Sequence, residues 1–220
     1  MKRIALVFSA LAISACGTSQ GELAEFEPET CDAVTAIMQA GQAAEPYSAL
    51  RGEPEMLGDM PIEDSWSANQ SAFGEGCETA VLRDFFDMDV FTYSCPLYAE
   101  RSNLDRETHE VEARAAAEGA LEIISACLGE DWIVEETTQN PDYQVFHKYL
   151  LEPASGRPGA DTFDFTVDPI YIELSYTPFM RGRGGPAGWQ VYVQFQEQRL
   201  LKIDIASNFQ NAGEPRTSAV

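Results

Sequence analysis

The residues of this 220-residue chain with chemistry to offer are five cysteines, two histidines and thirty-six carboxylates. His109-Glu110 opens the H-E-x-x-H string of a helical zinc site, but Ala113 stands where the second histidine would be needed. His147 alternates with Val145 and Tyr149 in a strand-like run and reads as a structural histidine. No G-x-S-x-G nucleophile elbow and no P-loop occurs. Gly182-Arg183-Gly184-Gly185 lies between two strand-like runs, whereas a dinucleotide loop joins a strand to a helix. Asp84, Asp87 and Asp89 crowd one turn without EF-hand spacing. The sequence therefore assigns no catalytic residue, no metal ligand and no cofactor. A hydrolase using carboxylates or an unrecognised site stays open as an alternative.

The cysteines are the informative set. Lys2 and Arg3, the apolar run from Ile4 to Ala12 broken only by Ser9, and the small residues that follow describe a secretion signal. The run is shorter than the roughly 20 residues a bilayer crossing needs. Ile13-Ser14-Ala15-Cys16 resembles the lipobox of bacterial lipoproteins. The resemblance covers the signal region only. It implies cleavage before Cys16, fatty acylation of the palmitate type on that residue and a lasting membrane anchor. Gly17, rather than Asp, follows the cysteine, and by the same resemblance implies sorting to the outer membrane, facing the periplasm.

That leaves Cys31, Cys77, Cys95 and Cys127, an even number in an oxidising compartment, for which two disulfides are expected among three connectivities. Local pattern favours one of the three. Cys77–Val81 and Phe91–Cys95 read as strands around a turn centred near Phe86. Cys77 then faces Cys95, Thr79 faces Tyr93, Val81 faces Phe91 and Arg83 faces Asp89. Cys31 and Cys127 remain for each other, one opening a helix and one closing a helix. The absence of C-x-x-C speaks against zinc.

The elements that position these residues follow from periodicity. Residues 16–29 read as a flexible acidic tether. A first helix is expected from Cys31 to Ala44, with Thr30 as N-cap and Pro46 as stop, then a long loop over 46–65 and a poorly defined strand over Trp66–Phe73. A second helix is expected from Ser102 or Asn103 to Leu128, with Ala113, Ala117, Ala120, Leu121, Ile124 and Cys127 buried and Gly129 as stop. Strands are expected over Trp132–Thr138 and Tyr143–Leu151 around Asn140-Pro141-Asp142, then over Phe163–Val167, Ile170–Tyr176 and Trp189–Gln196. Residues 206–220 lack periodicity and read as a disordered tail; no internal repeat is visible. The expected fold is a single α+β domain over 30–205, with an antiparallel sheet of about five strands packed on two disulfide-linked helices, in the order α-β-β-α-β-β-β. This cysteine and helix layout resembles uncharacterised bacterial envelope proteins, a resemblance that implies no activity.

Removing residues 1–15 removes two basic residues and no acid, taking the net charge from -22 to about -24. Such a chain lacks the clustered cations that nucleic-acid binding requires. Two surface features stand out as candidate partner contacts: Arg181 and Arg183 in a glycine-rich loop, and Phe85 and Phe86 at the hairpin tip. The reading that results is a lipid-anchored envelope protein, most simply a non-catalytic module that binds another envelope protein. The alternatives are an inhibitor or immunity-type lipoprotein that captures a cationic protein, and an envelope hydrolase. Mass spectrometry of the exported protein is expected to find acyl chains on Cys16 and no free thiol; an unmodified Cys16 or a Cys31–Cys77 bridge contradicts this reading.

Overall fold

In the computed structural model the described residues are 25–101, 104–139, 144–157, 165–178 and 187–200. They form two helices and eight strands: α1 (Cys31–Gly41), a short 3-10 turn (Ser48–Leu50), β1 (Arg51–Leu57), β2 (Met60–Ala68), β3 (Glu78–Phe85), β4 (Met88–Glu100), α2 (Arg106–Leu128), β5 (Trp132–Gln139), β6 (Val145–Pro153), β7 (Ile170–Thr177) and β8 (Gly188–Leu200). All eight strands belong to one antiparallel sheet in the order β1-β2-β3-β4-β8-β7-β6-β5. The chain is thus mostly β. This corrects the expected five strands and the order α-β-β-α-β-β-β.

The strands that sequence periodicity missed have a common physical character. β1 and β2 form a hairpin in the segment read as a loop; they carry Gly52, Pro54, Gly58 and Pro61, and most of their residues are exposed. Only the second half of β2 is half-buried, through Trp66 and Ala68, so the hairpin shows little period-2 hydrophobicity and pairing rather than pattern creates it. Conversely, Phe165 and Val167 lie outside any strand, although Val167 N–H is held by Gln198 Oε1 at 2.7 Å. Beyond Ala68 the chain leaves the sheet and crosses its covered face, where Ala72 N–H donates to the Tyr93 hydroxyl at 2.8 Å.

The architecture is a structural repeat with no counterpart in the sequence. Each half is one helix followed by a four-stranded meander, and the halves join along their last strands, β4 and β8, each of 13 residues. The β4–β8 ladder runs from Met88↔Leu200 through Ser94↔Gln194 to Glu100↔Trp189, with one irregularity between Pro96 and Tyr98. At its far end Gly188 is required: with φ at +101°, a side chain there would collide with the carbonyl oxygen of Glu100.

The buried residues of the strands alternate as expected for a sheet covered on one face. Trp189, Val191, Val193 and Phe195 are fully buried with Ile170, Ile172, Leu174, Tyr93 and Cys95, whereas Gln190, Tyr192, Gln194 and Gln196 lie on the other face. The helices supply the cover. Thr30 caps α1 by accepting the Ala33 N–H, and Ala33, Val34, Ile37, Ala40 and Gly41 are its buried residues. Along α2, Ala113, Ala117, Ala120 and Ile124 are buried, and Gly129 ends it in a left-handed conformation. α1 stops three residues before Ala44, where the chain turns and Tyr47 N–H returns to Ala40 O at 3.0 Å. Within the segment read as a tether, Phe26 and Glu29 are docked through Gln70 and Ala72.

Two disulfides join Cys31 to Cys127 and Cys77 to Cys95, with sequence separations of 96 and 18. The first ties α1 to the last turn of α2 and so links the two halves. The second staples the β3–β4 hairpin, whose pairs include Thr79↔Tyr93 and Val81↔Phe91. In the chain-entropy picture, the long loop contributes roughly 4 to 5 kcal/mol and the short one about 3 kcal/mol. Urea unfolding should therefore show a greater loss for the Cys31→Ser/Cys127→Ser pair than for Cys77→Ser/Cys95→Ser; the reverse order contradicts the linking role.

Candidate functional site

Two features share one end of the sheet, where the β1–β2 and β3–β4 hairpins turn. The β3–β4 turn consists of Phe86 and Asp87, with φ of 48° and 60°. Both central residues of such a tight hairpin turn need positive φ, which favours Asn-Gly and strains a bulky side chain. Phe86 is nevertheless 67% exposed. Its ring meets Phe85 edge-on at 4.7 Å, and both lie about 6 Å from Phe165. Phe85 packs inward against the small cluster of Met88, Val90 and Val167. Leu82 and Leu200, and Met56, Leu57, Met60 and Ile62 of the adjacent hairpin, are also exposed. Arg83 holds the two hairpins together, bonding Asp89 at 2.7 Å and Asp64 at 3.3 Å. Asp59, Asp84 and Asp87 complete an apolar end with acidic flanks.

The second feature is a cleft of about 360 Å³ bounded by Met38 of α1, Gln42 just after it, Tyr47, Trp132, Pro153, Arg157, Pro169, Gln196 and Glu197. Its charged members form a chain. Glu197 Oε2 accepts from Arg157 at 3.2 Å and from Arg199 at 3.0 Å. Arg157 also donates to the carbonyls of Val167 and Gln196, and Arg199 to those of Gln198, Gly41 and Ala43. Tyr47 sits against this chain, 3% exposed and at a positive φ of 58°. Burial, reinforced by the Glu197 carboxylate and opposed by the two arginines, raises its pKa well above the usual value. Gly41 makes room for it: a β-carbon there would lie 3.0 Å from the Tyr47 hydroxyl and 3.1 Å from Glu197 Cγ.

Elsewhere, several polar groups are engaged structurally. Tyr98 donates to Glu112 at 2.8 Å and lies 2.7 Å from His109 Nδ1. With the phenolic proton given to Glu112, the imidazole nitrogen must be the donor to Tyr98. Burial and Glu112 push the Tyr98 phenol up to about 12, so it pins α2 to β4 rather than acting as a base. His147 is buried on β6; its Nε2 lies 2.9 Å from Glu136 Oε1 without hydrogen-bond alignment. On the face opposite the helices, Tyr171 and Tyr192 meet edge-on at 5.9 Å, and Lys148 pairs with Asp168. Among the described residues no group of three metal-ligating side chains converges, and no helix is long and apolar enough to cross a membrane.

Of the candidates read from sequence, Cys16, Arg181 and Arg183 lie outside the described residues, while Phe85 and Phe86 form the hairpin tip. The cleft residues were missed. They come from positions 38 to 197 with no motif spacing, and only the fold assembles them. Comparison with protein-family models, with curated proteins and with solved structures returned no match.

The buried phenol gives a pH prediction. The folded pKa of Tyr47 exceeds the unfolded value near 10, so its contribution to stability is complete below about pH 10 and falls as pH rises further. Compared with wild type, Tyr47→Phe should lose less stability between pH 10 and 11, by up to about 1.4 kcal/mol per pH unit. Parallel stability curves for the two would contradict this placement.

Proposed function

We propose that this chain is a lipid-anchored envelope protein, tethered through Cys16, that binds another envelope protein without catalysis. The contact surface is the sheet end that carries Phe86. One observation carries the reading: a phenylalanine stands exposed, at positive φ, in a turn where smaller residues would be more stable. Strain of this kind is retained where a side chain is needed for something other than folding. Exposed Leu57, Met60, Leu82 and Leu200 extend the apolar surface beyond what an isolated side chain would mean. The signal region supports the anchor, and the two disulfides suit an oxidising compartment.

The acidic flanks of Asp59, Asp84 and Asp87 favour a partner with an apolar centre and a basic rim. They also support the second reading, capture of a cationic protein by an inhibitor-type lipoprotein. Exposed charge pairs are screened over about 8 Å at physiological salt, so binding dominated by charge weakens steeply with salt and binding dominated by the apolar tip does not.

The test is site-specific photo-crosslinking from position 82 in intact envelopes, with otherwise wild-type, Phe86→Asn and Arg181→Ser/Arg183→Ser proteins. Phe86→Asn relieves backbone strain and loses ring contacts, so its stability should stay within about 1 kcal/mol of wild type. One partner protein should be captured by wild type and lost in Phe86→Asn, with loss in the arginine variant marking the basic loop as part of the contact. Identical capture by wild type and Phe86→Asn, or none by either, contradicts the proposal.

A further inference from the structure

The cleft beside the end of α1 differs from the apolar tips in the charge it holds. Arg157 and Arg199 share a single carboxylate, and even a single oxygen of it: Glu197 Oε2 accepts from Arg157 at 3.2 Å and from Arg199 at 3.0 Å. The other contacts of the two guanidinium groups go to backbone carbonyls, which fix their positions without cancelling a formal charge. Two cations against one carboxylate leave one positive charge in excess. This small basic island stands in a chain whose net charge is -22.

The two arginines are not equivalent. Arg199 donates to four acceptors, whereas Arg157 is the one that lines the cleft. Arg157 uses three of the five guanidinium N–H groups, on Val167 O, Gln196 O and Glu197 Oε2. The remaining two have no acceptor among the described residues. With its side chain only 15% exposed, Arg157 has given up most of its hydration, so an anion reaching it from the cleft would be strongly attracted. Beside it, Met38, Trp132, Pro153 and Pro169 supply apolar walls. At about 360 Å³, the space falls at the lower end of the roughly 300–1,000 Å³ usual for small-ligand sites.

We propose that this cleft binds a small organic monocarboxylate, its carboxylate on Arg157 and its single ring or short chain against Met38, Trp132 and the two prolines. One excess cation matches one negative charge, so the bound state is neutral. The apolar body is required as well. The acidic chain repels anions at long range, and burial of apolar surface must offset that repulsion. Acetate and phosphate have the charge without the body. Glu197 stays between the two arginines and sets the size of the charge excess. This site stands independently of the tip contact.

The test uses the oxidised, folded protein and two-dimensional NMR. The probes are phenylacetate and hexanoate, their neutral amides phenylacetamide and hexanamide, and the bare anions acetate and phosphate. At least one of the two acids should shift the Trp132 indole N–H and the Arg157 Nε–H in a saturable manner, with the Trp66 indole as the unshifted reference. The matching amide should bind at least about tenfold more weakly, and acetate and phosphate should not saturate. Arg157→Gln should abolish binding. Glu197→Gln keeps the acceptor oxygen and doubles the excess charge, so it should tighten acid binding by about threefold to tenfold, a gain that structural damage would not produce. The proposal is overturned if neither acid shifts these signals up to about 50 mM, far above a 1 mM dissociation constant. It is equally overturned if the amide or acetate binds as well as the acid, or if Glu197→Gln leaves acid binding unchanged or weaker.

Discussion

The β4–β8 ladder is the constraint on which the rest of the molecule depends. It pairs strands whose residues stand about a hundred positions apart, and it is the junction between two helix-plus-meander halves. Its inward side chains, Tyr93 and Cys95 facing Phe195 and Val193, form the centre of the core that both helices cover. Neither half has a second sheet to pack against, so each relies on the other to extend its hydrophobic face. Such non-local pairing requires loop closure before it returns any contact energy. The disulfides divide that burden: Cys77–Cys95 fixes the hairpin that ends in β4, and Cys31–Cys127 holds the helices of the two halves together.

The same ladder places the chemistry. β8 runs beyond its pairing with β7, which begins at Ile170↔Phe195, and its last residues pair with β4 alone. Glu197 and Arg199, on that overhang, reach the end of α1 and create the charged wall of the cleft. Across the ladder, Asp89 holds Arg83, and Arg83 holds Asp64 of the neighbouring hairpin. One strand end therefore organises a polar cleft on the helix side and an apolar tip at the turn. The strongly acidic composition, a net charge of -22, favours solubility despite exposed Phe86 and Leu57 and disfavours contact with anionic surfaces.

Legibility in the sequence followed burial. The Cys77–Cys95 hairpin could be read residue by residue because its alternation and its two cysteines specify one register. The stripe of α2 was readable because four small or branched apolar residues recur at helical spacing. β1 and β2 were not readable, since a largely exposed hairpin with Gly52, Pro54 and Pro61 carries no alternation, and only the pairing of β2 with β3 joins it to the sheet. The cleft could not have been found either. Gln42, Tyr47, Arg157 and Gln196 are ordinary residues at unrelated spacings, and the left-handed backbone of Tyr47 has no glycine or asparagine to announce it. The structural repeat is invisible for a related reason: the two halves share strand order and strand length at their junction, without a shared sequence pattern.

Native-state amide hydrogen exchange followed residue by residue tests the central claim most directly. If the β4–β8 ladder is the last element to open, the amides of Tyr93, Cys95, Val193 and Phe195 will exchange slowest and with one common free energy, equal to that of global unfolding. β1 and β5, the two edge strands, will exchange far sooner. Protection in β4 and β8 no greater than at the edges, or a half that stays protected after the ladder has opened, would contradict the account.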